Sequence, residues 1–152
     1  LFALKNGDVV RPFVFGQLSM DGSSYLEPDA AFAEMLADRK NRVAVFSSYM
    51  AAGKDWKYFY SAPDNREFLF DKRVDPRETR NLAGSPVAQE ALGTAKKAMI
   101  AHLKANGETA GLTGDTFIPY RVPPMKRDPD AGHLIQDMYT SWAPVQIPGY
   151  TD

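Results

Sequence analysis

The sequence predicts an α+β fold: a small four-stranded antiparallel sheet packed against a C-terminal helix, followed by a Pro-rich extended arm. Three observations predict it. Four short segments are rich in aromatic and β-branched residues and lie between turn formers. One long segment in the third quarter carries apolar residues at helical spacing between a cap and a stop. Beyond Gly107, prolines, glycines and scattered aromatics follow one another with no sustained period.

The first strand is expected over residues 11–18. A short helix follows over 28–39, where Phe32, Met35 and Leu36 share a face and Pro28 suits an N-terminal helical position. The second strand is expected over 43–50, and the short loop of 51–55 makes a hairpin with the third, Trp56–Ser61. Ala62-Pro63-Asp64-Asn65-Arg66 supplies the next turn, and 67–71 the fourth strand. These three strands read as an antiparallel meander. The long helix is expected over 85–106, capped by Ser85, with Pro86 in its first turn and Asn106-Gly107 as a left-handed stop. Leu92, Ala95, Met99 and Leu103 form its apolar stripe, whereas Lys96, Lys97 and Lys104 lie mostly off it. The chain thus divides into a subdomain of residues 1–106 and an arm of 107–152 laid over a surface.

The strand patterns carry a second message. Trp56, Tyr58 and Tyr60 point to one face of the sheet and Phe59 to the other, while Val43 and Val45 oppose Ala44, Phe46 and Met50. Both faces are substantially apolar, which a sheet with one face in water does not require. The long helix covers one; the arm, a second subunit or a further domain is expected to cover the other.

Composition excludes several chemistries. A chain of 152 residues suits one core-forming domain. With no cysteine there are no disulfides, thiolate zinc sites, iron–sulfur clusters or thiol nucleophiles. The net charge of -1 offers no general attraction to nucleic acid. No apolar run reaches the roughly 20 residues of a membrane span. The first residues lack a basic leader and a cleavage site, and a chain beginning at Leu1 is expected to be a processed product or a fragment.

Motif tests leave few sites. Gly53-Lys54 resembles the end of a phosphate loop, but the earlier glycine is absent and Asp55 replaces Ser or Thr. Asp128, Asp130, His133 and Asp137 match no calcium loop and read as solvated. His102 borders the helix stripe and reads as structural; His133 lies in an irregular segment, where functional residues concentrate. The basic runs Arg39-Lys40-Asn41-Arg42 and Lys72-Arg73 have acids beside them and read as mixed-charge faces, with an anionic-ligand patch as the alternative. Tyr120, Tyr139, Trp142 and Tyr150 pin the arm or stack on sugar rings.

One ordered set of motifs is more telling. Trp56-Lys57-Tyr58-Phe59-Tyr60, then Glu67-Phe68-Leu69-Phe70-Asp71, then Asp75-Pro76-Arg77-Glu78-Thr79-Arg80-Asn81-Leu82-Ala83 resembles the C-terminal region of the type I, formylglycine-dependent sulfatases. These belong to the arylsulfatase family of the alkaline phosphatase superfamily. Phe68 and Phe70 replace the family's Leu and Tyr, and Lys72 stands where Leu is usual. Leu1-Phe2-Ala3-Leu4-Lys5-Asn6-Gly7 is similar to a segment near the start of that region, with Ala3 for the usual Pro, and Arg11-Pro12-Phe13-Val14-Phe15-Gly16 to the strand after it.

The resemblance implies a C-terminal, structural domain of a sulfatase that packs on its own N-terminal catalytic domain and helps to wall the substrate cleft. It covers about residues 1–106 and assigns structural roles to Trp56, Lys57, Tyr58, Glu67, Asp71, Asp75, Pro76, Glu78, Asn81 and Leu82; separately from it, Lys54, His133 and Trp142 are candidate substrate contacts. It places the formylglycine nucleophile and a calcium ion in the catalytic domain, so that this chain holds no cofactor and is inactive alone. Ser85-Pro86 and Ser61-Ala62-Pro63 both lack the arginine of a Ser-x-Pro-x-Arg motif. The implied substrate is a sulfated small molecule or glycan, and the implied location periplasmic or secreted. Two alternatives remain: the same role in a phosphonate monoester or phosphodiester hydrolase, and a stand-alone carbohydrate-binding module.

Overall fold

The structure, a computed structural model, describes residues 11–19, 26–121 and 123. The opening motif of residues 1–7 and most of the predicted arm, including His133 and Trp142, lie outside the described residues.

The fold is α+β, as expected. β1 (Val14–Ser19), β2 (Ser47–Ala52), β3 (Trp56–Ser61) and β4 (Arg66–Asp71) form one sheet in the order β1-β2-β3-β4, antiparallel throughout. Two short helices, α1 (Ala30–Ala37) and α2 (Arg39–Val45), join β1 to β2. A turn of 3-10 helix, Pro86–Ala88, leads into α3 (Gln89–Ala105), which packs across β2 and β3.

Period-two alternation decides what α3 covers. Ser47, Tyr49 and Ala51 of β2, Tyr58 and Tyr60 of β3 and Leu69 of β4 share one face and are buried. Against them α3 buries Leu92, Ala95, Met99 and Leu103, the predicted stripe, together with Ile100. The opposite face carries Val14, Leu18, Met50, Phe59, Phe68 and Phe70. Val14 and Leu18 are exposed. The aromatic contacts of this face run between neighbours in the sheet: Phe59 meets Phe68 edge-on at 5.7 Å, and Phe68 stacks on Phe70 at 6.4 Å. The predicted two-sided apolar sheet is therefore present.

Local chemistry sets the boundaries. The Asp29 side chain accepts the Phe32 N–H and caps α1, so Pro28 lies just outside the helix. Asp38 ends α1 and caps α2 by accepting the Lys40 N–H at 2.8 Å. At the far end of α3, Gly107 takes φ 74 and donates to Lys104 O, while the Glu108 N–H reaches Leu103 O. That pair of bonds is the left-handed stop that Asn106-Gly107 predicts.

Three expectations need correction. Residues 43–45 belong to α2, and β2 begins only at Ser47. Val43 and Val45 favour a strand, but the Asp38 cap and the burial of Ala44 and Val45 against the core select helix. Ala51 and Ala52 then join β2, and the hairpin loop shrinks to residues 53–55. Ser85 makes no side-chain cap; the helix entry is the 3-10 turn, whose Ala88 N–H donates to Ser85 O. The first residues beyond Gly107 form a short hairpin, β5 (Leu112–Thr113) and β6 (Thr116–Phe117), turned by Gly114 at φ 58. Its Phe117 is buried and stacks on Tyr60 at 4.1 Å.

Candidate functional site

The motif residues meet around β4. The Asp75 carboxylate accepts the Arg80 N–H at 2.8 Å, the Thr79 N–H at 3.1 Å and the Thr79 hydroxyl at 3.1 Å. These backbone donors, that of Arg80 foremost, hold its carboxyl below the usual range. Pro76 follows with its preset φ. The same turn bends Glu78 into a positive φ of 55, and the Glu78 carboxylate reaches Lys57 Nζ at 2.6 Å. Lys57 is thus committed to an ion pair within the fold.

Asn81 ties three backbone segments. Its Oδ1 accepts from Leu69 N and Ala83 N, both at 3.0 Å, and its Nδ2 donates to Glu67 O at 3.1 Å. The neighbouring Leu82 N–H donates to Leu69 O at 2.8 Å, and the Leu82 side chain packs against the core. Glu67 links layers: Tyr58 donates its hydroxyl at 2.8 Å, and Lys96 of α3 pairs with the same oxygen at 2.9 Å. Burial, with Glu67 beside it, pushes the Tyr58 phenol far up, so it stays neutral. Asp71 takes Arg73 in a two-pronged bond, Nε at 2.8 Å and Nη2 at 2.7 Å, and is held low by it. The Arg73 guanidinium sits over the Trp56 ring, 5.3 Å from its centre. These residues bind one another, and their chemistry is that of a clasp joining β3, β4, the following turn and α3.

Lys54 has different surroundings. The β2–β3 turn stands over the first turns of α3, leaving a cleft of about 440 Å³ lined by Phe13, Lys54, Asp55, Trp56, Glu90 and Thr94, among others. Lys72 pins the turn, with its Nζ on Gly53 O at 2.6 Å and its N–H on Asp55 O at 2.8 Å. A side chain at residue 53 would meet the Phe13 ring at 3.1 Å, so glycine permits this close approach. Among the described residues, the side chains of Lys54 and Glu90 have no hydrogen bond or ion pair. Sequence reasoning picked out Lys54 but missed Glu90 and Thr94. Their spacing of four residues on one helix face is the signal that pairs them.

The basic run Arg39-Lys40-Asn41 lines a second cleft of about 790 Å³ between α2 and residues 107–111, together with the acids Asp38 and Glu108. That mixture fits the mixed-charge reading of the run. His102 stacks on Phe15 at 4.1 Å. Among the described residues, no three His, Asp or Glu side chains converge as metal ligands. No helix among them is long and apolar enough to cross a membrane.

No family model matches this chain, and no curated protein matches it. Solved structures do. A protein named as a sulfatase from Bacteroides thetaiotaomicron matches with a TM-score of 0.51 and 19% identity, over 71% of this chain and 20% of its own. A 2-O GAG sulfatase matches with a TM-score of 0.52 and 18% identity, over 88% of this chain and 23% of its own. A phosphonate monoester hydrolase from Silicibacter pomeroyi is similar at a TM-score of 0.49 and 19% identity, over 72% of this chain and 21% of its own. This chain thus spans only about a fifth of the length of the structures it matches. At such identities the likeness is one of fold: the sheet and helix described above are an architecture found within sulfatase chains.

Proposed function

We propose that this chain is the C-terminal subdomain of a sulfatase of the alkaline phosphatase superfamily, part of an enzyme that hydrolyses sulfate esters. The observation that carries the reading is the match of 88% of this chain to 23% of a sulfatase chain. The motif order agrees with it. The apolar face of Val14, Leu18, Met50, Phe59, Phe68 and Phe70 supports it too, because a two-sided sheet is completed by another layer. In this reading the clasp around Asp75 and Asn81 keeps the sheet, turn and helix one rigid body against the catalytic domain. The subdomain supplies structure and one wall of the substrate cleft.

The residues of this chain do not fit the formylglycine and calcium that the resemblance implies. There is no cysteine, no Ser-x-Pro-x-Arg run and no converging set of acidic ligands among the described residues. The nucleophile and metal are therefore assigned to a preceding domain, and no bond-breaking step to this chain. The test is to read the gene upstream of Leu1 for Cys/Ser-x-Pro-x-Arg and to assay the whole protein on 4-nitrophenyl sulfate and on a phosphonate monoester. The motif with preferential sulfate-ester turnover is the expected result. Preference for the phosphonate would move the chain to that class of hydrolase, and the absence of any preceding catalytic domain would overturn the proposal.

A further inference from the structure

We infer that the outer edge of β1 is an interface for a second copy of this chain, the two β1 strands pairing antiparallel about a twofold axis at Gly16. The pairing uses no residue of the clasp and stands independently of the sulfatase reading. An antiparallel strand spends its backbone groups alternately on its two sides. In β2 the Ser47 carbonyl accepts the Ala62 N–H at 3.0 Å, and just past its end the Gly53 N–H donates to Trp56 O at 2.8 Å, both on the β3 side. Ser48, Met50 and Ala52 therefore face β1, where their partners are Leu18, Gly16 and Val14. Phe15, Gln17 and Ser19 are left aiming N–H and C=O away from the sheet, and among the described residues these groups have no backbone partner.

The opposite edge of the same sheet is closed. On β4 the Asn81 side chain accepts the Leu69 N–H at 3.0 Å and donates to Glu67 O at 3.1 Å, while the Leu82 N–H donates to Leu69 O at 2.8 Å. β1 has no such cover among the described residues. Its stretch VFGQLS also holds no charge and no proline, the features that keep an open edge from pairing. Val14 and Leu18 are 55% and 63% exposed.

The partner that fits this edge is the edge itself. In the register centred on Gly16, Phe15 of each copy exchanges backbone bonds with Gln17 of the other. Val14 then lies opposite Leu18 of the second copy, in the closer, non-hydrogen-bonded spacing, and symmetry repeats the contact. The two exposed apolar side chains of the strand thus cover each other. Gly16 meets itself at the axis, where a side chain would already crowd Met50 Cε at 3.1 Å. A twofold axis brings any charge in a short strand close to its own copy, and this strand has none to repel. Two four-stranded sheets become one continuous sheet, with both α3 helices on the same face.

The experiment is sedimentation equilibrium of the whole protein that contains this chain, over a concentration series. Dimers are expected, and Leu18→Lys should weaken them about tenfold by opening both symmetric contacts. Gln17→Pro removes an outward N–H while leaving the β1–β2 ladder its bonds, and should weaken them similarly. The melting temperature of each variant, unchanged within a few degrees, shows that the fold is kept. Val14→Glu added to Leu18→Lys should restore the dimer. The two positions are about 13 Å apart along one strand, so the new charges meet only between copies. A dimer indifferent to both Leu18→Lys and Gln17→Pro would overturn the inference, and failure of the double variant to recover would overturn the register at Gly16. A wild-type monomer whose Gln17 amide is protected from hydrogen exchange would assign the edge to another strand of the same protein; any monomer throughout the series overturns the pairing.

Discussion

Asn81 joins Leu69, Ala83 and Glu67 with a single amide, so its loss leaves three backbone groups short of a partner at once. Asn81→Ala should cost about 1–3 kcal/mol, because water reaches part of this site and re-pairs some of those groups. A shift of the urea midpoint at constant slope is the measurement. Ionisation adds two pH limits. Asp71, held low by Arg73, and Asp75, held low by the Arg80 and Thr79 amides, take up protons more readily when unfolded. Their contribution is complete above the ordinary carboxylate pKa of about 4 and is lost as pH falls through the lower folded values. The melting temperature should therefore drop on acidification below about pH 4, and Asp75→Asn should flatten that limb. The tyrosines act at the other end. Burial first, and Glu67 next, push the Tyr60 phenol up to about 12, and Tyr58 is raised in the same way. Stability from these neutral phenols is full below the unfolded value of about 10 and disappears as pH rises through the folded values. Absorbance of ionised tyrosine should appear together with unfolding. At this scale the sequence marked the motif positions, but not that Glu78 would enter the left-handed region to meet Lys57.

The element on which the rest depends is α3. Met99 lies at the middle of its buried stripe and is 1% exposed, so Met99→Ala should cost about 2–5 kcal/mol through lost contacts and a residual cavity. Val87, on the preceding 3-10 turn, is 94% exposed, and Val87→Ala should change stability by no more than about 0.5 kcal/mol. Calorimetric melting of the two variants side by side checks the contrast. The stripe and the Gly107 stop were legible because both are short-range patterns: a helix repeats every turn, and only a residue tolerant of positive φ ends it in this way. The strand expected at Val43 was not, because its β-branched residues fit either state and tertiary burial chose between them. The β5–β6 hairpin escaped notice for the opposite reason: with two residues per strand it has no period to read.

For the whole molecule, the two faces of the sheet set the expectation. One is closed by α3; the other presents Phe59, Phe68 and Phe70 as a continuous aromatic row. Expressed without a preceding domain, the chain should bind an apolar dye and associate, and Phe68→Ser should reduce both effects. A monomer without dye binding would show that other residues of the chain cover this row. The sequence by itself determined the fold class, the meander, the long helix and the apolar character of both sheet faces. Those follow from alternation, caps and turn residues, which act over a few neighbours and leave a mark wherever they occur. Only the tertiary structure decided which lysine is paired and which is not. Lys54 and Lys57 stand three residues apart, yet one meets Glu78 across the turn after β4 while the other faces Glu90 across a cleft. A charge finds its partner through segments distant in the chain, and that choice is made when the layers pack.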